Sequence, residues 1–328
     1  MEAVSVQGLV KSYGRVRALD GLDMRVEAGS ICGFVGPNGA GKTTTLRILL
    51  GLLPKDQGTV KLFGQEVLFG QESPVRQKVA YLPEEPVFPE RHTGLEVMEL
   101  VAGLYRMDAG KARDRTEVLL KEFHLWEQAK RMVGTYSRGM RQRLGLASCL
   151  LPEPELLVLD EPVSALDPGG RVEVFDLISR LRGRATVLFS SHILDDVERV
   201  CDRLVMIRAG RNVVDGPMEE ILSKYASDRI RIVVRAEDLD SARSVLAALP
   251  FVTGASTPEE GSSGDPSART SSAVPSLSTA AVLVDVEPGM METAVDETLR
   301  ALVQQGVRVI EYGRSRTDLE TVFLRLSA

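Results

Sequence analysis

Eight residues, Gly36-Pro37-Asn38-Gly39-Ala40-Gly41-Lys42-Thr43, constrain this chain more than any other feature. The spacing G-x-x-x-x-G-K-[ST] surrounds phosphates with backbone N–H groups, sends a lysine to the β- and γ-phosphates and places a hydroxyl on Mg²⁺. Such a loop works between a strand and a helix, and both are legible here. Ile31-Cys32-Gly33-Phe34-Val35 is a short apolar run of strand type, and Lys42 to Leu50 carries Leu46, Leu49 and Leu50 at helical spacing. Strand, glycine loop and helix N-terminus in that order form an anion site. The chain is therefore expected to fold as an α/β binder of a nucleoside triphosphate, with Thr44 the next residue in the loop's reach.

The surrounding sequence agrees with that layout. Over the first ~225 residues, short apolar runs alternate with helical periods. Leu156-Leu157-Val158-Leu159 and Thr186-Val187-Leu188-Phe189 are continuous apolar runs, the pattern of parallel strands covered on both faces. From about 90 to 151 the pattern turns helical, with a charged stretch from Lys111 to Arg115, and reads as a helical subdomain inserted into the sheet domain. A first domain is expected over 1–227.

Residues 228–328 read as a second, α+β domain. Ile230 to Val234 is a strand, Leu239 to Leu249 a helix, and Phe251 to Thr253 and Ala281 to Val286 are strands. Glu292 to Gln305 is a helix ended by Gly306, and Val307 to Glu311 is a last strand. The order βαββαβ predicts a ferredoxin-like sandwich, followed by a helix from Asp318 to Leu326. Gly254 to Thr279 (the insertion at about 254–280) is rich in Ser, Thr, Pro, Gly and Ala and has no aromatic residue. It cannot bury enough apolar surface to offset its ordering entropy and is expected to be a disordered insertion.

Composition removes several function classes. Lys+Arg 40 against Asp+Glu 46 gives a formal charge of −6, without a long basic run. Nucleic acid is excluded as a principal partner, as is direct adsorption to anionic lipid. No secretory leader is visible at Met1-Glu2-Ala3-Val4, and no apolar stretch approaches the ~20 residues that span a bilayer. Cys32, Cys149 and Cys201 are widely separated and read as reduced core thiols. The expectation is a soluble, cytoplasmic protein whose membrane role, if any, runs through a partner.

Leu156 to Asp160 carries two adjacent acids, Asp160 and Glu161, to the C-terminal end of a strand, where open α/β sheets bind ligands. Alternation along the strand lets Asp160 enter a Mg²⁺ shell while Glu161 orients or deprotonates water. Two acids at a strand end are also found as plain solvated ends. Tyr136-Ser137-Arg138-Gly139-Met140-Arg141-Gln142-Arg143 opens another helix, with Ser137 suited to cap it and Gly139 permitting close backbone approach. On its own this is an ordinary capped helix.

Taken together in order, these motifs resemble the ATP-binding subunit of ABC transporters over roughly residues 3 to 225. The phosphate loop is followed by a lid-loop motif at Tyr81-Leu82-Pro83-Glu84 and the signature at Ser137 to Met140. Then come Asp160-Glu161, a Ser164-Ala165-Leu166-Asp167 loop and the switch histidine of Ser190-Ser191-His192. Tyr13, in Lys11-Ser12-Tyr13-Gly14, matches the family's adenine-stacking aromatic. The resemblance implies a homodimer with composite sites. Lys42, Thr43, Asp160, Glu161 and His192 of one subunit face Ser137 and Gly139 of the other across ATP, and Asp167 joins the nucleotide contacts.

Two positions depart from the family pattern. Glu84 stands where the lid loop usually has Gln, and Arg138-Gly139-Met140 replaces Gly-Gly-Gln. Glu84 is a Mg²⁺ candidate, although an ionised acid cannot donate a hydrogen bond to water. Both variants are similar to those of the exporter branch, whose ATPase drives a separately encoded permease. The family places the permease contact after the lid loop, here Glu84 to Leu95. The expected function is an ATP-hydrolysing motor, peripheral on the inner membrane face. Two alternatives are a methionine-type nutrient importer ATPase with a regulatory C-terminal domain and a soluble ABC ATPase. Against the latter stand the single cassette and the gap of about a hundred residues, without sustained heptads, between phosphate loop and signature.

Overall fold

A computed structural model describes residues 1–224, 228–257, 278–287, 289–315 and 319–327. The chain divides into two compact units, Met1–Ile221 and Leu222–Ala328.

The first unit opens with two long strands, β1 (Glu2–Tyr13) and β2 (Val16–Glu27), then β3 (Ile31–Val35), α1 (Lys42–Leu49), β4 (Gln57–Leu62), β5 (Gln65–Glu66) and β6 (Val79–Leu82). Three helices follow, α2 (Gly94–Leu104), α3 (Ala109–Glu122) and α4 (Arg138–Leu150). The unit continues with β7 (Leu156–Asp160), α5 (Pro168–Arg180), β8 (Thr186–Ser191), α6 (Leu194–Val200), β9 (Arg203–Arg208) and β10 (Arg211–Pro217), and the division between the units falls within α7 (Met218–Lys224). A six-stranded sheet runs β10-β9-β3-β8-β7-β6, parallel except for the β9–β10 hairpin. Every residue of β3, β7 and β8 is buried, as strands covered on both faces require.

A second sheet, β2-β1-β4-β5, is antiparallel throughout. It was not anticipated from the sequence. β2 alternates, turning Leu22, Met24 and Val26 inward between exposed neighbours, and its pairing with β1 is interrupted by several register shifts. Those irregularities blur the period-2 signal. Leu22, Met24 and Val26 share one core with Phe34, Leu46, Leu49, Val158 and Leu188 of the central sheet and α1.

The helical segment has legible starts. Thr93 and Glu96 form a reciprocal capping box on α2, with Glu96 Oε2 accepting the Thr93 N–H at 2.6 Å. Asp108 Oδ1 accepts the Lys111 N–H at the head of α3, and Ser137 caps α4. Gly145 lets α4 press on the end of β6: a Cβ there would lie 2.5 Å from Leu82 Cδ1. The three cysteines are buried and free, and burial pushes the Cys32 and Cys149 thiols up to about 12, the state of inert core thiols.

The second unit comprises β11 (Arg229–Arg235), α8 (Leu239–Ala247), β12 (Val252–Ser256), β13 (Thr279–Val286), α9 (Met291–Gln304), β14 (Val309–Arg314) and α10 (Leu319–Ser327). Its four strands pair antiparallel in the order β12-β13-β11-β14. Ile230, Ile232 and Val234 of β11 alternate inward onto Leu246, Ala294 and Leu302 of the two helices. β12 and β13 run further than expected into the insertion, because pairing of Ala255 with Val284 and Ser256 with Leu283 offsets weak local propensity. The rest of the insertion, 258–277, lies outside the described residues. In α10, Leu319 and Val322 are fully buried within the chain.

Candidate active site

The phosphate loop bridges the buried end of β3 and the start of α1. Its turn depends on Gly39 and Gly41, at φ 80 and φ 110, backbone that side chains disfavour. Gly36 is required for space: a Cβ there would lie 2.3 Å from the Ile207 carbonyl oxygen. The Gly210 N–H donates to the Ala40 carbonyl at 3.0 Å and the Ala40 N–H to the Pro37 carbonyl at 3.1 Å, pinning the loop. Pro37, Asn38 and Gly39 are exposed at its tip, while Thr43 and Thr44 are half-buried on the first turn of α1. No side chain caps α1, leaving its first amides to an anion.

Lys42 is 7% exposed. Its Nζ donates to the Gly36 carbonyl at 2.7 Å and lies 3.6 Å from Glu161 Oε1. Glu161 follows β7 in left-handed backbone, φ 47. Its other oxygen, Oε2, is 3.0 Å from His192 Nδ1, so an ionised Glu161 fixes the ring proton on Nδ1. Asp160 is 1% exposed, and Ser190 Oγ donates to its Oδ1 at 2.6 Å. Lys42, Asp160, Glu161 and His192 are thus joined directly or through Ser190 at the C-terminal edge of the parallel sheet.

Ser137, Gly139 and Asp167 gather elsewhere. With Met140 and Leu166 they line a cavity of about 260 Å³ whose lining includes no phosphate-loop residue. Ser137 Oγ accepts the Met140 N–H at 3.2 Å, and Gly139 lies against the Ala165 carbonyl. Glu84 is exposed just past β6, whose register Leu82↔Leu159 carries it out of the same sheet edge as Glu161. Tyr13 ends β1, half exposed, with Lys11 Nζ 5.6 Å from its ring centroid. Among the described residues, no three His, Cys, Asp or Glu cluster to hold a metal by themselves. The hard oxygen donors Thr43 and Asp160 suit a cation that takes its remaining ligands from phosphates and water.

Two residues of this site escaped the sequence reading. Ser190 appeared there only as context for His192, and Gln142 only as part of the signature helix. Gln142 is 1% exposed and its Nε2 donates to the Pro162 carbonyl at 2.9 Å. Neither has a local signal, because each acts on a residue 20 to 30 positions away.

The family profile described as ABC transporter matches residues 19–164. The daunorubicin resistance ATP-binding protein DrrA3 of Streptomyces coeruleorubidus is 34% identical over 99% of this chain and 96% of its own length. A Nod factor export ATP-binding protein I of Ralstonia nicotianae is 36% identical over 75% of this chain and 76% of its own. Among solved structures, an ATP-binding subunit of an ABC transporter superposes with a TM-score of 0.63 at 30% identity, covering 68% of this chain and 93% of that one. A dimeric cassette bound to ADP and phosphate shares the fold, TM-score 0.60 at 23% identity. These relatives do not favour the importer and soluble alternatives. No helix among the described residues is long and apolar enough to cross a membrane. The chain belongs to the ATP-binding, ATP-hydrolysing subunits of ABC transporters, in their exporter branch.

Proposed function

We propose that two copies of this chain close around two ATP molecules and that their hydrolysis drives a separately encoded membrane permease exporting a drug-like organic molecule. One observation carries the catalytic part: Lys42, His192 and Ser190 converge on Glu161 at 3.6, 3.0 and 2.9 Å beside the phosphate loop. Residues Gly36 to Thr44 cradle the phosphates, and Lys42 moves from Glu161 to the β- and γ-oxygens as they arrive. That exchange releases the Glu161 carboxylate to accept a proton from the attacking water. His192 holds Glu161 through Nδ1, so Nε2 is the nitrogen left for the γ-phosphate, to which it donates only when both ring nitrogens carry protons. Thr43 and Asp160 would hold Mg²⁺, with Glu84 as a further candidate; the ion, when bound, neutralises charge on the transferred phosphoryl group.

Ser137 and Gly139 of the partner subunit complete each site with a capped helix N-terminus, and Asp167 lines that same cavity. Tyr13 offers its exposed ring to adenine. Glu161→Gln tests the reading: it should retain ATP binding, trap a closed dimer and lower turnover by about 10²–10⁴-fold. Turnover at the wild-type rate would remove Glu161 from its role.

The permease contact falls on Glu84 to Leu95, where Val87 is 89% exposed and the Thr93–Glu96 box fixes the start of α2. The protein would then sit on the cytoplasmic membrane face. Charge reversals and bulky substitutions there should uncouple transport from ATP hydrolysis; unchanged permease binding and coupling would discard this surface. The drug-like cargo rests on one comparison: the daunorubicin resistance relative matches the whole chain, second unit included, whereas the Nod factor relative covers three quarters of it. The second unit, read as a ferredoxin-like accessory domain over 228–328, is proposed to stabilise the closed dimer. Truncation after residue 227 should weaken ATP-driven dimerisation.

A further inference from the structure

We infer that Ser190 and Gln142 are positioning residues for ATP hydrolysis, clamping the backbone on both sides of Glu161 and aligning it with Asp160. The inference rests on the proposed role of Glu161. A glutamate at φ 47 occupies backbone that side chains enter at a cost, and it persists only where its surroundings over-determine it. Three contacts do so. Ser190 Oγ accepts the Glu161 N–H at 2.9 Å, the Ser164 N–H donates to the Glu161 carbonyl at 3.2 Å, and Gln142 Nε2 donates to the Pro162 carbonyl at 2.9 Å.

The Ser190 hydroxyl has a single proton, and it goes to Asp160 Oδ1 at 2.6 Å. One fully buried oxygen therefore donates to the carboxylate of one acid and accepts from the backbone of the next. Two residues on, His192 holds the Glu161 carboxylate itself, so one tripeptide grips Glu161 at backbone and side chain. Gln142 closes the other side. Gln142 lies on α4, five residues beyond the Ser137 cap, so the helix that meets the partner's nucleotide is tied to the turn carrying its own subunit's Glu161.

The test uses the full chain, with kcat, KM for ATP, the dissociation constant of a fluorescent ATP analogue, and Tm. Ser190→Ala should lower kcat by about 10- to 100-fold while KM and nucleotide affinity stay within about threefold, because the loss is one of alignment. Ser190→Thr, which keeps the hydroxyl, should recover most of the rate. Combined with Glu161→Gln, Ser190→Ala should remove no further turnover, as expected for groups acting as a unit. Gln142→Met, near in volume, should show the same split with a loss of about three- to tenfold. Should Ser190→Ala fail to fold, Gln142→Met carries the test.

Wild-type kcat in Ser190→Ala, an equal loss of nucleotide affinity, or the same fold-loss in the Glu161→Gln background would overturn the inference. Wild-type turnover by Glu161→Gln alone would instead remove the role of Glu161 on which the inference stands, and the two failures are distinguishable.

Discussion

The central sheet of the first unit and the sheet of the second are both made of apolar strands, yet the first brings a lysine, two acids and a histidine together beside a phosphate loop, while the charges described in the second pair as cations with acids. In the first, β3, β7 and β8 are buried along their whole length and parallel. Polar groups are displaced to the C-terminal ends, where Lys42, Asp160, Glu161 and His192 meet. In the second, β11 alternates Ile230, Ile232 and Val234 inward with Arg229, Arg231 and Arg235 outward. Its charges pair across the open face, Arg229 with Asp285 and Arg231 with Glu311. Parallel burial concentrates chemistry at an edge, whereas antiparallel alternation spreads it over a surface.

The largest effects should therefore follow from touching the edge. Lys42→Ala should lower nucleotide affinity by more than about 100-fold, as expected for loss of a charged phosphate contact, measured with a fluorescent analogue. Gly36→Ala should approach it, because the added methyl meets the Ile207 carbonyl at 2.3 Å and displaces the loop. If Gly36→Ala binds normally, the loop is softer than the contrast between the two sheets requires.

The second unit should respond through stability. Ile232 is fully buried between β13 and β14, so Ile232→Ala should cost about 2–5 kcal/mol there. Basal ATPase should stay within about twofold. A thermal melt paired with an activity assay checks both. A parallel loss of activity would show that turnover depends on the second unit, as it would where the closed dimer that this unit is proposed to stabilise limits the rate.

How much of this was legible depends on distance along the chain. Gly36 to Thr43 and Asp160-Glu161 are contiguous, and their flanking strands are short and apolar, so strand, loop and acids could be read directly. The capping residue Ser137 acts within three positions and was read directly; Thr93 caps α2 over the same span but went unread. The β1–β2–β4–β5 sheet had no local signature, because its register is set by bulges and by pairing such as Val4 with Leu62. Nor did the Ser190 and Gln142 contacts, which span 30 and 20 residues and exist only once the sheet has formed.

A smaller effect separates the two units by pH. Lys11 and the Ser12 N–H hold the Asp56 carboxyl below its usual range, and Arg308 does the same for Asp238 in the second unit. Both folded values are depressed. The stability they contribute is present above the unfolded carboxylate range, near 4, and is lost as pH falls through the folded values. Melts from pH 7 down to about 3 should show Tm falling in both units, with Asp56→Asn flattening the curve of the first and Asp238→Asn that of the second. A substitution that flattens neither would leave its ion pair without energetic weight.

The smallest effect concerns a contact between Arg138, one of the departures from the family pattern, and Glu85, the neighbour of the other. Arg138 Nη2 lies 3.2 Å from Glu85 Oε1, joining the first residue of the signature helix to the residue beside Glu84 in the lid loop. The side chains are 55% and 75% exposed, so water and salt screen the pair and its stability contribution is slight. Glu85→Gln and Arg138→Gly should shift Tm by no more than about 1–2 °C. Their consequence is expected in coupling. At low salt the ATPase rates of wild type and Glu85→Gln should differ by up to about twofold, and they should converge near 0.5 M salt, where the Debye length falls to a few ångströms. Identical rates at every salt concentration would make the pair a solvated surface contact and leave the lid loop and signature helix joined only through packing, with Gly145 admitting Leu82 and Pro86 against α4.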